Sequence, residues 1–391
     1  MQPTDYFLKL ANAGSAVSRY ESEQGNAYLA SSVEAIKAVF RQGAQFACPS
    51  HPYRHLDPLL QPLGRQWLGM GSSAAHDDAL LDDVHAFFES HRIFPGIDTF
   101  HVTTNLPAAD FHLALKAMCF ALGCRLLFGL YIGGKSVDLA RASDAIEEIR
   151  SGDGSGSSSS GSKASDLRAR SAQAEFSWLA GEVQRQCGVA PTGENAHAVQ
   201  ETILSAAVPL AYALIWTLSL LGRDAATQAA IRREATGMNC GARVTRDALR
   251  ASPAVAVVKE ALRLYPPVWA LSRTSTAEQC LADIPIQAGD AVVVSPYALH
   301  RMRSAWDSPH QFDPQRFDTG TLKPHTYLPF GAGPRTCPAA KSNVHVLVLA
   351  VHALLRRYSL SISKMPGAHP LVALRPAPQG SVSLRKLAEP R

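Results

Sequence analysis

No two cysteines in this chain stand at C-x-x-C spacing, no basic run forms, and no stretch repeats. Each absence closes off a class of protein. Seven cysteines, an odd number without paired spacing, point to reduced thiols rather than a disulfide scaffold. A formal charge of +5 with scattered basic residues leaves no electrostatic footprint for nucleic acid. A mildly basic face for an acidic protein partner stays open. The opening "MQPTDYFLKLANAGSAVSRY" carries an acid and several polar residues where a secretion signal needs an apolar core. A cytoplasmic protein with no membrane anchor is therefore expected. No flavin or iron–sulfur motif is visible either.

What is present is apolar mass. The 391 residues are 46% hydrophobic, enough for a substantial core in one large domain or two average ones. Cys119 and Cys124 lie in "ALKAMCFALGCRLLFGL" and read as core thiols. The stretch 203–222, "ILSAAVPLAYALIWTLSLLG", is long enough to span a bilayer. Yet it holds Ser205, Thr217, Ser219 and Pro209 and lacks basic flanks, so a helix buried through the middle of a large domain is expected.

Along the chain, short alternating pieces and a Pro- and His-rich loop fill the first sixty residues. From His76 the spacing of Leu80, Leu81, Val84, Phe87 and Phe88 predicts a helix with acids on its far side. Further helices are predicted over about 107–130, with Pro107 in the first turn, and over 136–150, 164–187 and 196–222. A short amphipathic helix follows at "DAATQAAIRREATG", and "VTRDALRASPAVAVVKEALRLYPP" stays helical until Pro266 and Pro267 stop it. The Ser/Gly-rich run 151–162 cannot bury enough surface to order itself, so a flexible loop is expected there. A small sheet is expected around "IPIQAGDAVVVSPYALH", and a last helix over about 340–357 before closing strands. The fold class is mainly α with a minor β region, as a single domain over 1–391.

The chemistry concentrates in three separated motifs. "KEALRLYPP" sets Glu260 and Arg263 one helical turn apart, able to pair. "FDPQRF" follows with Arg316 in a proline-rich stretch. "LPFGAGPRTCPAA" then presents Cys337 behind small residues and Arg335. A disulfide would want a partner there, zinc would want nearby ligands, and a nucleophile would want a base. None is supplied locally. Gly331 and Gly333 give the backbone freedom to approach a flat ligand closely.

In that order, the motifs resemble the cytochrome P-450 superfamily, over most of the chain from about His76 onward. Phe330, Gly333, Arg335 and Cys337 occupy the fixed positions of the family's F-x-x-G-x-R-x-C pattern. The resemblance implies the cytochrome P-450 fold, haem b as cofactor, and Cys337 as axial thiolate of the iron. It implies a buried network of Glu260, Arg263 and Arg316 locking the loop before the cysteine. Such charges survive burial only as a fully hydrogen-bonded set. Arg335 and Arg273 match arginines that grip the haem propionates. His76 matches a histidine of the family's H-x-x-x-R propionate motif, although Leu80 stands where the arginine would be. An ordinary helix-start histidine stays open there.

The central helix departs from the pattern. Where the family carries a glycine, an acid and a threonine to deliver protons, this chain has Ala206, Val208 and Pro209. Proline inside a helix costs roughly 3 kcal/mol and strips the Ser205 carbonyl of its donor. A bend is predicted, with Ser205 able to help hold a water. The family's peroxygenase branch resembles this chain in its proline, but pairs it with an arginine where Val208 stands here. The leading expectation is a monooxygenase of bacterial specialised metabolism, with proton transfer assisted by the substrate. Two alternatives stay open: a peroxide-driven peroxygenase or oxygen-independent isomerase or lyase, and a non-catalytic haem protein kept for binding. The expected partners are a small organic substrate, free or carrier-protein-bound, and an external ferredoxin with its reductase unless peroxide drives the reaction. Arg335 and Lys341 mark a plausible docking area for such a partner. The protein is expected to be a monomer that binds neither nucleic acid nor membrane. The interval 131–195 is expected to carry a shortened or mobile lid over the pocket.

Overall fold

Two long apolar helices organise one of the two compact units into which the chain divides. The structure, a computed structural model, describes residues 1–22, 25–41, 46–47, 59–70, 74–91, 93–94, 103–151, 163–188, 192–237, 249, 252–318 and 322–388. One unit takes Met1–Ser50 with Lys259–Ala340, and the other takes His51–Val258 with Lys341–Arg391.

In the second of these units α5 (Ala108–Phe128) and α8 (Gly193–Leu221) pack against each other. Both are apolar enough to cross a membrane by composition, with mean hydropathy 1.5 and 1.8, but 78% of each such window is buried inside the protein. They are core helices, as their scattered hydroxyls and proline suggest. Cys119 and Cys124 are buried on α5, and burial pushes both thiols up. α8 starts where the Thr192 hydroxyl accepts the Asn195 amide at 3.2 Å, a side-chain cap. α5 starts one residue later than its sequence suggests. Strand β4 (Thr103–Pro107) runs up to Pro107, which caps the helix instead of entering its first turn.

Helices α6 (Lys135–Arg150) and α7 (Lys163–Cys187) pack on this pair. They flank the Ser/Gly run, of which 152–162 lie outside the described residues. Buried polar groups tie α5, α6 and α8 together. Lys116 Nζ donates to Asp144 at 2.5 Å, and the Tyr212 hydroxyl donates to Glu147. Burial pushes the Glu147 carboxyl up, so its neutral form is favoured. β4 pairs with β12 (Ser381–Lys386), which pairs in turn with β9 (Tyr358–Ile362). This three-stranded sheet closes the unit together with the hairpin β10 (Gly367–Pro370) and β11 (Leu374–Ala377).

The other unit is built on a five-stranded sheet. At one edge β1 (Val17–Ser22) and β2 (Gly25–Ala30) form a hairpin with Val17 opposite Ala30. β2 then pairs in parallel with β8 (Ala291–Val294), which joins the amino-terminal hairpin to the late strands. β5 (Leu271–Ser275) runs antiparallel to β8 and sets Arg273 opposite Val292. The short β3 (Phe46–Ala47) pairs with β5 and ends the order β1-β2-β8-β5-β3. Val292 and Val294 of β8 pack with Ile36, Val39 and Phe40 of α2 (Val33–Arg41), and with Leu328.

Gly64 in α3 (Pro62–Trp67) shows how tightly the larger unit closes. A Cβ there would sit 2.7 Å from the Leu127 Cα and 2.9 Å from the Leu126 and Leu127 carbonyl oxygens. Backbone cannot step aside as a flexible side chain can. Gly64→Ala is expected to destabilise the fold by about 1–3 kcal/mol, read as a lower urea midpoint with unchanged slope.

Candidate functional site

Helix α10 (Pro253–Leu264) carries the first motif, and its one-turn spacing does bring Glu260 and Arg263 together. Both are fully buried. The pair is bidentate, with Arg263 Nε to Glu260 Oε2 at 2.7 Å and Nη2 to Oε1 at 2.8 Å. The remaining guanidinium hydrogens go to main chain. Nη1 reaches the carbonyls of His300 and Pro309, each at 2.7 Å, and Nη2 reaches Gln311 at 3.0 Å. Glu260 Oε1 also accepts the Asp313 amide at 2.9 Å and Arg316 Nε at 3.1 Å. The three charges predicted from separated motifs therefore form one hydrogen-bonded set. The Trp306 ring lies 5.1 Å from the Arg263 guanidinium and closes one side.

A residue that sequence reading missed extends this set toward the cysteine. His300 is fully buried, with Nδ1 3.1 Å from the Arg263 carbonyl and Nε2 accepting the Leu328 amide at 2.8 Å. An imidazole facing a carbonyl on one side and an N–H on the other must be neutral, with its proton on Nδ1. Burial pushes its pKa down to about 3, opposed by its bonds to main chain and aided by the charges of Arg263 and Arg301. His300 thus fastens Leu328, where the cysteine loop begins, to the buried arginine. Tyr327 adds a second fastening through its hydroxyl to the Lys259 carbonyl at 3.0 Å. In sequence the only signal was a histidine inside the apolar run "VVVSPYALH".

The loop itself closes on Cys337. Its amide donates to the Phe330 carbonyl at 2.9 Å, and Gly333–Arg335 form one 3-10 turn inside the closure. Burial pushes the Cys337 thiol up, while the Ala339 amide donates to the sulfur and pulls it down. Phe330 and Arg335 are half-buried, and Gly331 and Gly333 both hold positive φ, +72° and +71°. Glycine at 333 also answers a contact within the protein. A Cβ there would lie 2.5 Å from the Phe40 carbonyl oxygen, so the loop is pressed against the end of α2. Arg273, 8% exposed, stands over the Phe40 ring at 5.6 Å and donates to the Ser272 carbonyl at 2.9 Å. Cys337, Arg335, Arg273 and the Glu260 network all belong to the same unit.

Ser205, Val208 and Pro209, which stand where the resemblance places oxygen activation, lie on α8 in the other unit. Between Ala198 and Ser219 this helix is buried except for one strip, Glu201, Ser205, Ala206 and Pro209. The spacing of four between Glu201, Ser205 and Pro209 makes that strip a single face. Val208 is buried beside it. The helix continues through Pro209 without a break. The Ser205 hydroxyl is turned back within the helix and donates to the Thr202 carbonyl at 3.0 Å, which leaves its oxygen able to accept a hydrogen bond but its proton committed. Glu201 is paired with Arg150. His76 falls in α4 (Ala74–Ser90), but its side chain lies outside the described residues.

Two tests follow from this geometry. Between pH 6.5 and about 3 the unfolded chain holds a proton on His300 that the folded chain does not. Its stabilisation is complete above 6.5 and falls by about 1.4 kcal/mol per pH unit as acid is added toward about 3. His300→Gln, whose amide oxygen can still accept from Leu328, is expected to flatten that acid limb in unfolding titrations by one proton. Gly333→Ala meets both the Phe40 carbonyl and the positive φ. It is expected to cost at least about 1–3 kcal/mol from backbone strain alone, read by thermal unfolding.

A family profile for Cytochrome P450 matches residues 184–380, a stretch that runs through both units. Cyclooctatin synthase of Streptomyces melanosporofaciens is 34% identical over 201 residues, 49% of this chain and 42% of that protein. Cytochrome P450 4A24 of Sus scrofa is 34% identical over 178 residues, 44% of this chain and 35% of that protein. The matched stretches thus span less than half the length of these relatives. Among solved structures, CYP175A1 from Thermus thermophilus superposes with a TM-score of 0.71 at 20% identity, covering 99% of this chain and 95% of that one. That likeness concerns the fold, mainly helical with small sheets. With the Cys337 loop, its buried arginine network and the profile match in agreement, the chain belongs to the cytochrome P450 family, whose cofactor is haem b.

Proposed function

We propose that this protein is a haem-thiolate oxidoreductase of monooxygenase type, acting as one P450 domain on a small organic molecule. The observation that carries the reading is the Cys337 loop: a lone sulfur in a closed turn, approached by the Ala339 amide. Among the described residues no group of three His, Cys, Asp or Glu could hold a metal ion. A single thiolate therefore suits an iron whose remaining ligands come from a macrocycle. Arg273 and Arg335, in the same unit as Cys337, supply positive charge suited to propionates. The donor set fits haem b.

When bound, haem supplies the oxidising chemistry, with the thiolate favouring O–O cleavage. Everything else falls to the chain. Cys337 gives up its proton on ligation, because the ligand is the thiolate. The Ala339 amide then stabilises negative charge on sulfur. Glu260, Arg263, Arg316 and His300 hold the loop so that the sulfur keeps one position. On α8 the Ser205 carbonyl has no helical donor, since Pro209 has no N–H. That oxygen can accept a hydrogen bond from a hydroxyl of the substrate or a water. Neither Val208 nor Pro209 can relay a proton, so the substrate's own polar group completes delivery.

The same observation favours a second reading. With the Ser205 hydroxyl committed to Thr202, the open strip of α8 offers no side-chain acid except Glu201, which is already paired with Arg150. Peroxide brings its own protons, and an isomerase or lyase needs none from oxygen activation. Electrons for the leading reading come from an external ferredoxin and its reductase. Similarity to a synthase named for one compound supports a place in specialised metabolism.

Cys337→Ser is expected to abolish the thiolate-type carbon-monoxide difference spectrum of the loaded protein. An unchanged spectrum would remove the basis of the proposal. Turnover of a candidate substrate with surrogate ferredoxin, reductase and NAD(P)H, and no peroxide, supports the monooxygenase. Turnover with peroxide alone supports the second reading.

A further inference from the structure

The unit that carries Cys337 contains a cavity of about 680 Å3 away from the cysteine loop. None of residues 328–337 lines it, nor does Arg273. Its walls are the end of α1 (Pro3–Asn12), the turn at Gly14–Ala16, the corner Ser31–Ser32 between β2 and α2, and the segment Met302–Ser304 with His310. The volume lies within the range of small-molecule sites.

Four features give this cavity a preference. Among the described residues its lining includes Arg303 and His310 and no carboxylate. Ser31 is 4% exposed, yet its hydroxyl has no hydrogen-bond partner. A buried hydroxyl left unpaired costs about 1–3 kcal/mol, which a ligand oxygen would recover. Ser32 caps the nine-residue helix α2, its Oγ accepting the Ala35 amide at 3.1 Å, so the positive end of that helix meets the cavity at the same corner. Leu8, Ala11 and Met302 supply apolar wall beside these groups. The field there is positive enough to be felt. His310 is pushed below its usual range first by burial, then by Arg301, Arg263 and Arg303. The acids nearest these residues in sequence, Asp5, Glu34, Asp307 and Asp313, do not line the cavity.

We infer that this cavity binds an amphipathic organic anion, its carboxylate or phosphate at the Ser31–Ser32 corner and Arg303, its apolar body along Leu8, Ala11 and Met302. The site is separate from the haem-thiolate centre and does not depend on the activity proposed for it.

Calorimetric titration of the haem-loaded protein tests this with octanoate, octyl phosphate, 1-octanol and inorganic phosphate. Saturable binding of octanoate or octyl phosphate is expected, with an unchanged Soret band. The two anions distinguish a carboxylate from a phosphate head. Arg303→Glu is expected to weaken the bound anion at least tenfold, and Ser31→Ala severalfold, each with an unfolding midpoint near that of the parent. Failure of both octyl anions to bind overturns the inference. Equal affinity in Arg303→Glu, or for 1-octanol, removes the role of charge and overturns it too. So does inorganic phosphate binding as tightly as octyl phosphate, since the apolar wall would then contribute nothing. Binding that shifts the Soret band and persists in both variants belongs to the haem pocket and counts against it equally.

Discussion

A fully buried guanidinium, that of Arg263, is the constraint from which the cysteine-bearing unit is organised. An arginine cannot shed its charge to escape burial, so its surroundings must satisfy every hydrogen it presents. Glu260 neutralises it, and the carbonyls of His300, Pro309 and Gln311 take what the carboxylate leaves. Those carbonyls belong to an irregular, proline-rich stretch with little regular structure of its own. The ion pair therefore shapes the chain between the sheet and the cysteine. Replacing it by apolar residues could match its stability, but would leave that stretch without a template.

The strength of this arrangement is its continuity. Arg263 holds the His300 carbonyl, His300 holds Leu328, and the Leu328 segment leads into the turn that closes between Phe330 and Cys337. Each link is a hydrogen bond to main chain, which fixes position more firmly than contact between flexible side chains. A sulfur proposed as the ligand of an iron needs that kind of support.

Much of this could be read before any coordinates. The helices at 135–150, 163–187, 193–221 and 340–357 fall within a few residues of their periodicity, because each buries an apolar face over several turns. Glu260, Arg263, Arg316 and Cys337 stood out because three short motifs in that order resemble the cytochrome P-450 pattern. What escaped was set by partners distant in sequence. The parallel pairing of β2 with β8 leaves no mark in either strand. His300 looks like any histidine in an apolar run until its two ring nitrogens are seen between Arg263 and Leu328. Pro209 predicts a bend, and α8 runs through it as one helix, since burial on almost every side outweighs one missing hydrogen bond. The Ser205 hydroxyl turned inward for a local reason that spacing does not reveal.

The press of Gly333 against Phe40 has a consequence for how the molecule comes into being. The two segments in contact are far apart in sequence, so α2 leaves the ribosome long before the loop does. Until the late loop arrives, α2 lacks the surface that will cover its last turn. The first strands must therefore wait, exposed, for most of the chain to be made. The sulfur's seat cannot be finished before this loop is made, and a pigment that needs that seat can be taken up only by a chain already complete through it.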